Sequence, residues 1–311
     1  MRRKIISLLL IFNSFLLTSQ LKSPESFFGY ELGTHFNLHH QLLDYFSHLE
    51  KNSEFLKIIP YGKSNEGREL QLVFISNRKN LENLEEIRLS HLKNSGSIKG
   101  PKNENKSIVW LSYNIHGNES SSSEASMKTA YDLITKHTKW LLDTIVIIDP
   151  CVNPDGRDRY VNFYKQNRGI PYDKNQNSIE HDEPWHNGRT NHYAFDLNRD
   201  WAWVTQTETK NRISKFNDWL PHIHVDFHEQ GINSPYYFAP AVEPYHEVVS
   251  NFQREFQEII GRNHAKYFDE KGWLYFTKEK FDLLYPSYGD TYPMFLGSIG
   301  MTYEQAGGGI A

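Results

Sequence analysis

In residues 39–49, HHQLLDYFSHL, apolar side chains return at three- and four-residue intervals, the period of a helix with one buried face. The period then changes. Residues 56–64 and 70–76 are short, largely apolar runs on either side of Asn65-Glu66-Gly67, which predicts a hairpin-like strand pair. A charged, polar stretch, 77–106, is expected to run over the surface. Residues 108–111 predict a strand that enters the loop 114–120, and a helix is expected to begin near Ser121, where Ser121 and Glu124 have the spacing of a capping box. Residues 144–148 form a β-branched apolar run of the kind covered on both faces in a parallel sheet. Strand, helix and strand in this order predict a right-handed βαβ unit. Two further strands are expected at 223–227 and 299–303, and the Asn-, Gly- and Pro-rich stretch 163–193 reads as a long loop near a site. No repeat or Pro- or Ser-rich linker divides the 311 residues, so one large α/β domain is the simpler organisation.

The ends depart from this pattern. Arg2, Arg3 and Lys4 precede the apolar stretch 5–17, and Thr18-Ser19-Gln20 follow it. A positive start, an apolar middle and a short polar end read as a cleaved secretory signal over residues 1–20. The apolar stretch, interrupted by Asn13, is too short to span about 30 Å of hydrocarbon. The protein is therefore expected to be secreted or periplasmic, with no membrane span after signal removal and with a catalytic domain over 21–311. At the far end, Gly307-Gly308-Gly309 stands two residues before Ala311. A glycine turn normally leads into another element, so a domain truncated at its C-terminus is expected.

Composition narrows the chemistry. Lys and Arg total 34 against 38 Asp and Glu, a formal charge of -4, which leaves no basic surplus for nucleic-acid phosphates. A single cysteine, Cys151, excludes an intrachain disulfide and any Cys-rich metal cluster. A metal would have to be held by imidazoles and carboxylates.

His116 and Glu119 stand at i and i+3 just past a predicted strand end, where one ion is within reach of both. In His224-Val225-Asp226-Phe227-His228-Glu229, strand alternation puts His224, Asp226 and His228 on one face, with an imidazole near the strand end. Two histidines and a glutamate with one open position are the donor set of a hydrolytic zinc site. Such a site needs a carboxylate base that is not a ligand, and Glu304 ends the last apolar strand. The other 13 of the 15 histidines, His222 and His224 among them, are expected to be solvated or structural. Arg189, Asn198 and Arg199 lie in the run 188–201, and a planar guanidinium suits a bidentate carboxylate contact. Asn153-Pro154-Asp155-Gly156 is a turn signal after a buried strand.

Taken together, these segments resemble the zinc metallocarboxypeptidases typified by carboxypeptidases A and B and their E, N and D relatives. His116-Gly117-Asn118-Glu119 is similar to the family's first metal motif, Asn153-Pro154-Asp155-Gly156 to its turn after the next strand, and Asp196-Leu197-Asn198-Arg199 to its carboxylate-binding segment. His228 and Glu304 match the third ligand and the catalytic glutamate in position. The resemblance implies an α/β fold, a mixed twisted central sheet flanked by helices. It implies one Zn(2+) on His116, Glu119 and His228, Glu304 as general base, and a peptide or protein substrate with a free C-terminus held by Asn198 and Arg199. Arg189 would stabilise the oxyanion, with Arg168 as its rival, and Asp196 would orient His116 through its other ring nitrogen. Of Tyr285, Tyr288 and Tyr292, Tyr288 is ranked first as the tyrosine that caps substrate. The specificity position falls near the uncharged Gly289, which argues against a dedicated basic-residue enzyme. Alternatives on the same scaffold are a peptidoglycan-peptide or γ-glutamyl carboxypeptidase or an amidoacid deacylase, and, in another class, a non-catalytic peptide-binding protein.

Overall fold

The computed structural model describes residues 20–103 and 106–307. The expected signal, but for Gln20, and the last four residues lie outside the described residues. In chain order, helices α1 (Pro24–Phe28) and α2 (His39–Asn52) precede the antiparallel strands β1 (Leu56–Lys63) and β2 (Glu69–Ile75). Helices α3 (Arg78–Glu82) and α4 (Leu84–Asn94) lead to β3 (Ser107–Tyr113), then α5 (Ser121–Lys136) returns the chain to β4 (Thr144–Asp149), which lies parallel to β3. After α6 (Pro154–Asn167) a long irregular stretch reaches α7 (Thr207–Trp219) and β5 (Ile223–Gln230). There follow β6 (Tyr236–Tyr237), β7 (Val242–Tyr245), α8 (Asn251–Lys271), β8 (Tyr275–Phe276), β9 (Asp282–Leu283), α9 (Thr291–Phe295) and β10 (Ile299–Ala306).

Eight of these strands pair into one mixed sheet in the order β1-β2-β4-β3-β5-β10-β6-β8. Its centre is parallel, with β3 between β4 and β5 and with β10 alongside β5. β3 and β4 are largely apolar because helices cover both faces. On one face Trp110 and Ile147 pack with Trp201 and with Ile213, Phe216 and Trp219 of α7. On the other, Tyr113 and Ile148 pack with Leu42 and Phe46 of α2 and with Met127 and Ala130 of α5. Phe256 and Ile260 of α8 cover Val225 and Met301 farther along the sheet. This is the mixed α/β arrangement expected from the sequence.

Four expectations are corrected. The polar stretch 77–106 is not only surface: it holds α3 and α4, which bury Leu81, Leu84 and Leu92 against the sheet side. The leucines are spaced among charged residues, which masked their helical period. Asn153-Pro154-Asp155-Gly156 is not a free turn but the first turn of α6, with Asn153 Oδ1 accepting from the Gly156 amide at 3.0 Å and Pro154 at a position that needs no amide donor. Residues 163–167, placed in the long loop by composition, complete that helix. Finally, Ser121 and Glu124 form no capping box. Ser120 is the residue that precedes the helix, and Glu124 is buried in an ion pair with Arg157 at 2.6 Å while accepting the backbone and side-chain N–H groups of Asn37 at 2.7 Å each. Cys151 is a buried free thiol.

His39 and His224 are enclosed by the fold and held neutral, burial being the main cause that takes each from 6.5 to about 4. A depressed histidine value means that the unfolded chain binds the proton more tightly, so stability is lost as pH falls from about 6.5 to about 4. Each imidazole accounts for about 3 kcal/mol at the acid end. Urea titrations between pH 7 and pH 4 are expected to show the unfolding midpoint falling steadily across this window. An unchanged midpoint would contradict the assignment.

Candidate metal centre

The site is built where β3, β5 and β10 end. Asn114, just past β3, takes a left-handed backbone (φ 61°), a conformation asparagine tolerates. Its side-chain amide donates to the carbonyls of His116 at 2.6 Å, Gly117 at 3.2 Å and Glu119 at 3.0 Å, which curls the loop onto itself. From behind, the fully buried Arg157 donates to Asn114 Oδ1 at 3.0 Å, to the Ser120 carbonyl at 2.7 Å and to Glu124 at 2.6 Å. Three glycines let the neighbouring loops close in. A Cβ on Gly117 would lie 2.2 Å from the backbone of Gly156 and Arg157, one on Gly156 would lie 2.3 Å from the Gly188 carbonyl, and one on Gly188 would lie 2.6 Å from the Gly156 carbonyl. Any side chain there would push the loop carrying Arg189 away from the loop carrying His116.

His116, Glu119 and His228 converge, all buried, with one donor atom of each within 4.8 Å of the others. His116 Nδ1 is 2.8 Å from Glu119 Oε1, His228 Nδ1 is 3.0 Å from Glu119 Oε2, and the two Nδ1 atoms are 3.2 Å apart. Two nitrogens bound to zinc at about 2.05 Å in a tetrahedron are separated by about 3.3 Å, so this spacing fits a small divalent ion. The outer nitrogens are also provided for. His116 Nε2 meets Asp196 Oδ1 at 3.0 Å, and His228 Nε2 lies 3.0 Å from Asp226 Oδ2. The Asp196 carboxylate fixes the tautomer that turns the His116 Nδ1 lone pair inward, and the charge of Asp226 favours the same arrangement at His228. Burial opposes charge on His116 and His228, but Glu119 and Asp196 beside the first and Asp226 and Glu119 beside the second outweigh it, and both are raised. Burial likewise works against the Glu119 carboxylate, yet the two imidazoles hold it well below the usual carboxylate range.

A cleft of about 360 Å³ opens over these three residues, and Glu304, Arg189, Asn198, Arg199 and Tyr288 all line it. Glu304 on β10 is the lateral neighbour of His228 on β5. It is pushed up to about 7, first by burial and also by Glu119, against the pull of His228 and His116. Asp196 ties the wall together: its Oδ1 accepts from the Asn198 amide at 2.9 Å, and its Oδ2 accepts from Arg189 Nε at 3.2 Å and Nη2 at 3.1 Å. Arg189 Nη1 also reaches Glu119 Oε1 at 3.3 Å. The Arg199 guanidinium lies over the Tyr288 ring at 4.6 Å. Asn198 Oδ1 accepts from the Gly289 amide at 2.8 Å, and its Nδ2 lies 3.3 Å from His228 Nε2.

The rival residues separate cleanly. Arg168 lies against Tyr172, with Nη1 3.3 Å from its hydroxyl, and does not line the cleft. Tyr292 packs among Trp201 and Phe216 in the core, and Tyr285 stands behind Tyr288, accepting from Trp203 Nε1 at 2.8 Å. Gly289 does not line the cleft, but the next residue, Asp290, does, and it is pushed up to about 6 by burial. Lys280, Asp282 and Thr302 complete a lining of mixed charge. Thr302 was legible from strand alternation with Glu304. Lys280 and Asp282 carry no motif.

A family model described as zinc carboxypeptidase matches residues 42–219, more than half of the chain. The chain belongs to the zinc carboxypeptidase family. Among solved structures, carboxypeptidase A from Helicoverpa armigera is similar with a TM-score of 0.59 at 16% identity, covering 87% of this chain and 64% of that one. The metallo-carboxypeptidase from Burkholderia cenocepacia gives 0.57 at 16%, covering 86% and 59%. Bovine thrombin-activatable fibrinolysis inhibitor, solved in complex with tick carboxypeptidase inhibitor, gives 0.59 at 17%, covering 88% of each chain. At these identities the likeness is one of fold, and the chain spans less than two thirds of the first two. A comparison with curated protein sequences finds no match. In this zinc carboxypeptidase-family chain the matched stretch ends before His228 and Glu304, so it is folding that brings them to His116 and Glu119.

The donor set predicts one divalent ion per chain, measurable by elemental analysis of the dialysed protein. His228→Ala is expected to lose the ion, and a strong chelator to remove it from the wild type.

Proposed function

We propose that this protein is an exported zinc-dependent carboxypeptidase that hydrolyses the last peptide bond of peptides or proteins. The observation that carries this reading is one cleft with a buried His-Glu-His donor set and Glu304 at its base, and with Arg189 and Arg199 on its wall. Export rests on the basic and then apolar pattern of residues 1–20. Among the described residues no helix is long and apolar enough to cross a membrane.

Residues His116, Glu119 and His228 would hold the zinc. When bound, the metal supplies Lewis acidity that makes a water acidic near neutral pH and polarises a carbonyl. The chain's own residues supply the rest. Glu304 takes the proton from the attacking water and passes it to the leaving amine; burial raises its carboxyl above the ordinary value, which favours return of the proton. Arg189 is placed to receive the negative charge that grows on the carbonyl oxygen, exchanging its contact with Glu119 for one with substrate. Arg199, braced on Tyr288, receives the terminal carboxylate, and this demand for a free carboxylate makes the enzyme an exopeptidase. Asn198 lines the same wall, its Oδ1 fixed by the Gly289 amide so that Nδ2 is left to donate to the same carboxylate. Tyr288 closes over the bound residue from the same side. Asp196 orients His116 and holds Arg189 within reach.

Two outcomes test the reading. Glu304→Gln is expected to retain zinc while kcat falls about 10²- to 10⁴-fold, since only the proton transfers are lost; near-full activity would remove Glu304 from the role. Arg199→Ala is expected to raise KM for peptides with a free C-terminus by about 10- to 100-fold, the worth of a charge-assisted contact. A C-terminally amidated peptide should be cut poorly by the wild type, and equal cleavage of both peptides would refute an exopeptidase.

A further inference from the structure

Behind the histidines lies a second polar row, of which the peptidase reading employs only Asp226, beside His228, and Thr302, in the cleft lining. Asp149 of β4, Ser112 of β3, Asp226 of β5 and Thr302 of β10 are lateral partners across four adjacent strands. Lateral partners leave the sheet on one face, and all four are buried. That face is covered by α7, whose Arg212 is fully buried with its guanidinium over the Trp201 ring at 4.0 Å. The ionisable groups facing Arg212 are Tyr61, Asp149, Asp226 and Asp200.

The hydrogen-bond accounting here is incomplete within the protein. Arg212 Nε, Nη1 and Nη2 have no hydrogen-bond partner among the described residues, nor do Asp149 Oδ1 and both carboxylate oxygens of Asp226. The 3.0 Å approach of Asp226 Oδ2 to His228 Nε2 is an ion contact, not an aligned hydrogen bond. A buried guanidinium and carboxylate left without partners would cost several kcal/mol. Native proteins satisfy such groups with protein or with ordered water, and the site is polar enough to keep water. Gly289 closes the space from the cleft side: a Cβ there would lie 2.0 Å from Asp226 Oδ2 and 3.1 Å from the Trp201 ring.

We propose that Arg212 is a positioning residue for the metal centre, linked by buried ordered water to Asp226 and through it to His228. The guanidinium supplies the donors and the positive charge that hold the Asp226 carboxylate on the outer nitrogen of His228, so that Nδ1 stays aimed at the metal position. This role rests on the reading of His116, Glu119 and His228 as zinc ligands.

The test is a double-mutant cycle on the full chain, with zinc affinity measured by competition with a chromophoric chelator. Arg212→Met is expected to weaken zinc binding by about 10-fold, as loss of a group that orients a ligand does. Arg212→Lys should recover most of that loss. In an Asp226→Asn background the Arg212→Met change should cost less than 2-fold, because the route through Asp226 is already cut. Equal losses in both backgrounds, or no loss in either, would overturn the proposal, since a merely structural arginine gives the first and an idle one the second. A wild-type protein that binds no zinc would overturn the metal centre itself, an outcome distinct from these. Should the variants not fold, a high-resolution crystal structure of the unaltered protein decides: waters bonded to both Arg212 and Asp226 support the link, and a dry or directly bonded pair refutes it.

Discussion

The backbone contact among Gly117, Gly156 and Gly188 is the constraint on which the centre depends. Three segments far apart in the chain approach to distances at which even a methyl group would overlap carbonyl oxygens or amide nitrogens. That approach lets the start of α6 brace the metal-motif loop, brings Arg157 under Asn114, and sets Arg189 within 3.3 Å of Glu119. The glycines are needed for the room they leave, since none of the three has a positive φ.

Burying this much charge is tolerable only because each charge meets another. Glu124 has Arg157 and two donors from Asn37; Asp196 has His116, Arg189 and the Asn198 amide; Glu119 has both imidazoles and the Glu229 amide at 3.0 Å. Removing one partner of such a set leaves the other uncompensated and costs about 3–5 kcal/mol. Within this set His116 and His228 point nitrogens at each other 3.2 Å apart, an arrangement that a shared cation satisfies better than a shared proton. A metal would have to displace the protons that the carboxylates otherwise draw onto the imidazoles, so proton and metal compete for the same nitrogens.

Much of this was legible in the sequence for identifiable reasons. β3 and β4 are largely apolar runs because they are covered on both faces, and that composition survives in the sequence without any knowledge of partners. The alternation of His224, Asp226 and His228 fixed their common face, although only His228 reaches the ion position, since His224 lies deeper, its ring between Trp201 and Phe216. The helices α3 and α4 were hidden because their buried leucines sit among charged neighbours. Glu124 was misread because a local spacing rule cannot register a partner 33 residues away.

The sequence by itself determined the donor types: with one cysteine, a metal had to fall to imidazoles and carboxylates, and the short motifs around Glu119, Asp196 and Glu304 named the candidates. It also determined the first hairpin, the strand-helix-strand unit around His116 and the strands that carry His228 and Glu304, because hydrophobic period is a local property. Only the tertiary structure decided which candidates meet. It set Arg189 rather than Arg168 on the wall, Tyr288 rather than Tyr292 at the rim, and Asp290 in the lining beside the uncharged Gly289. The physical reason is that reach and burial depend on how loops pack across strand ends, and that packing rests on contacts between residues widely separated in the chain.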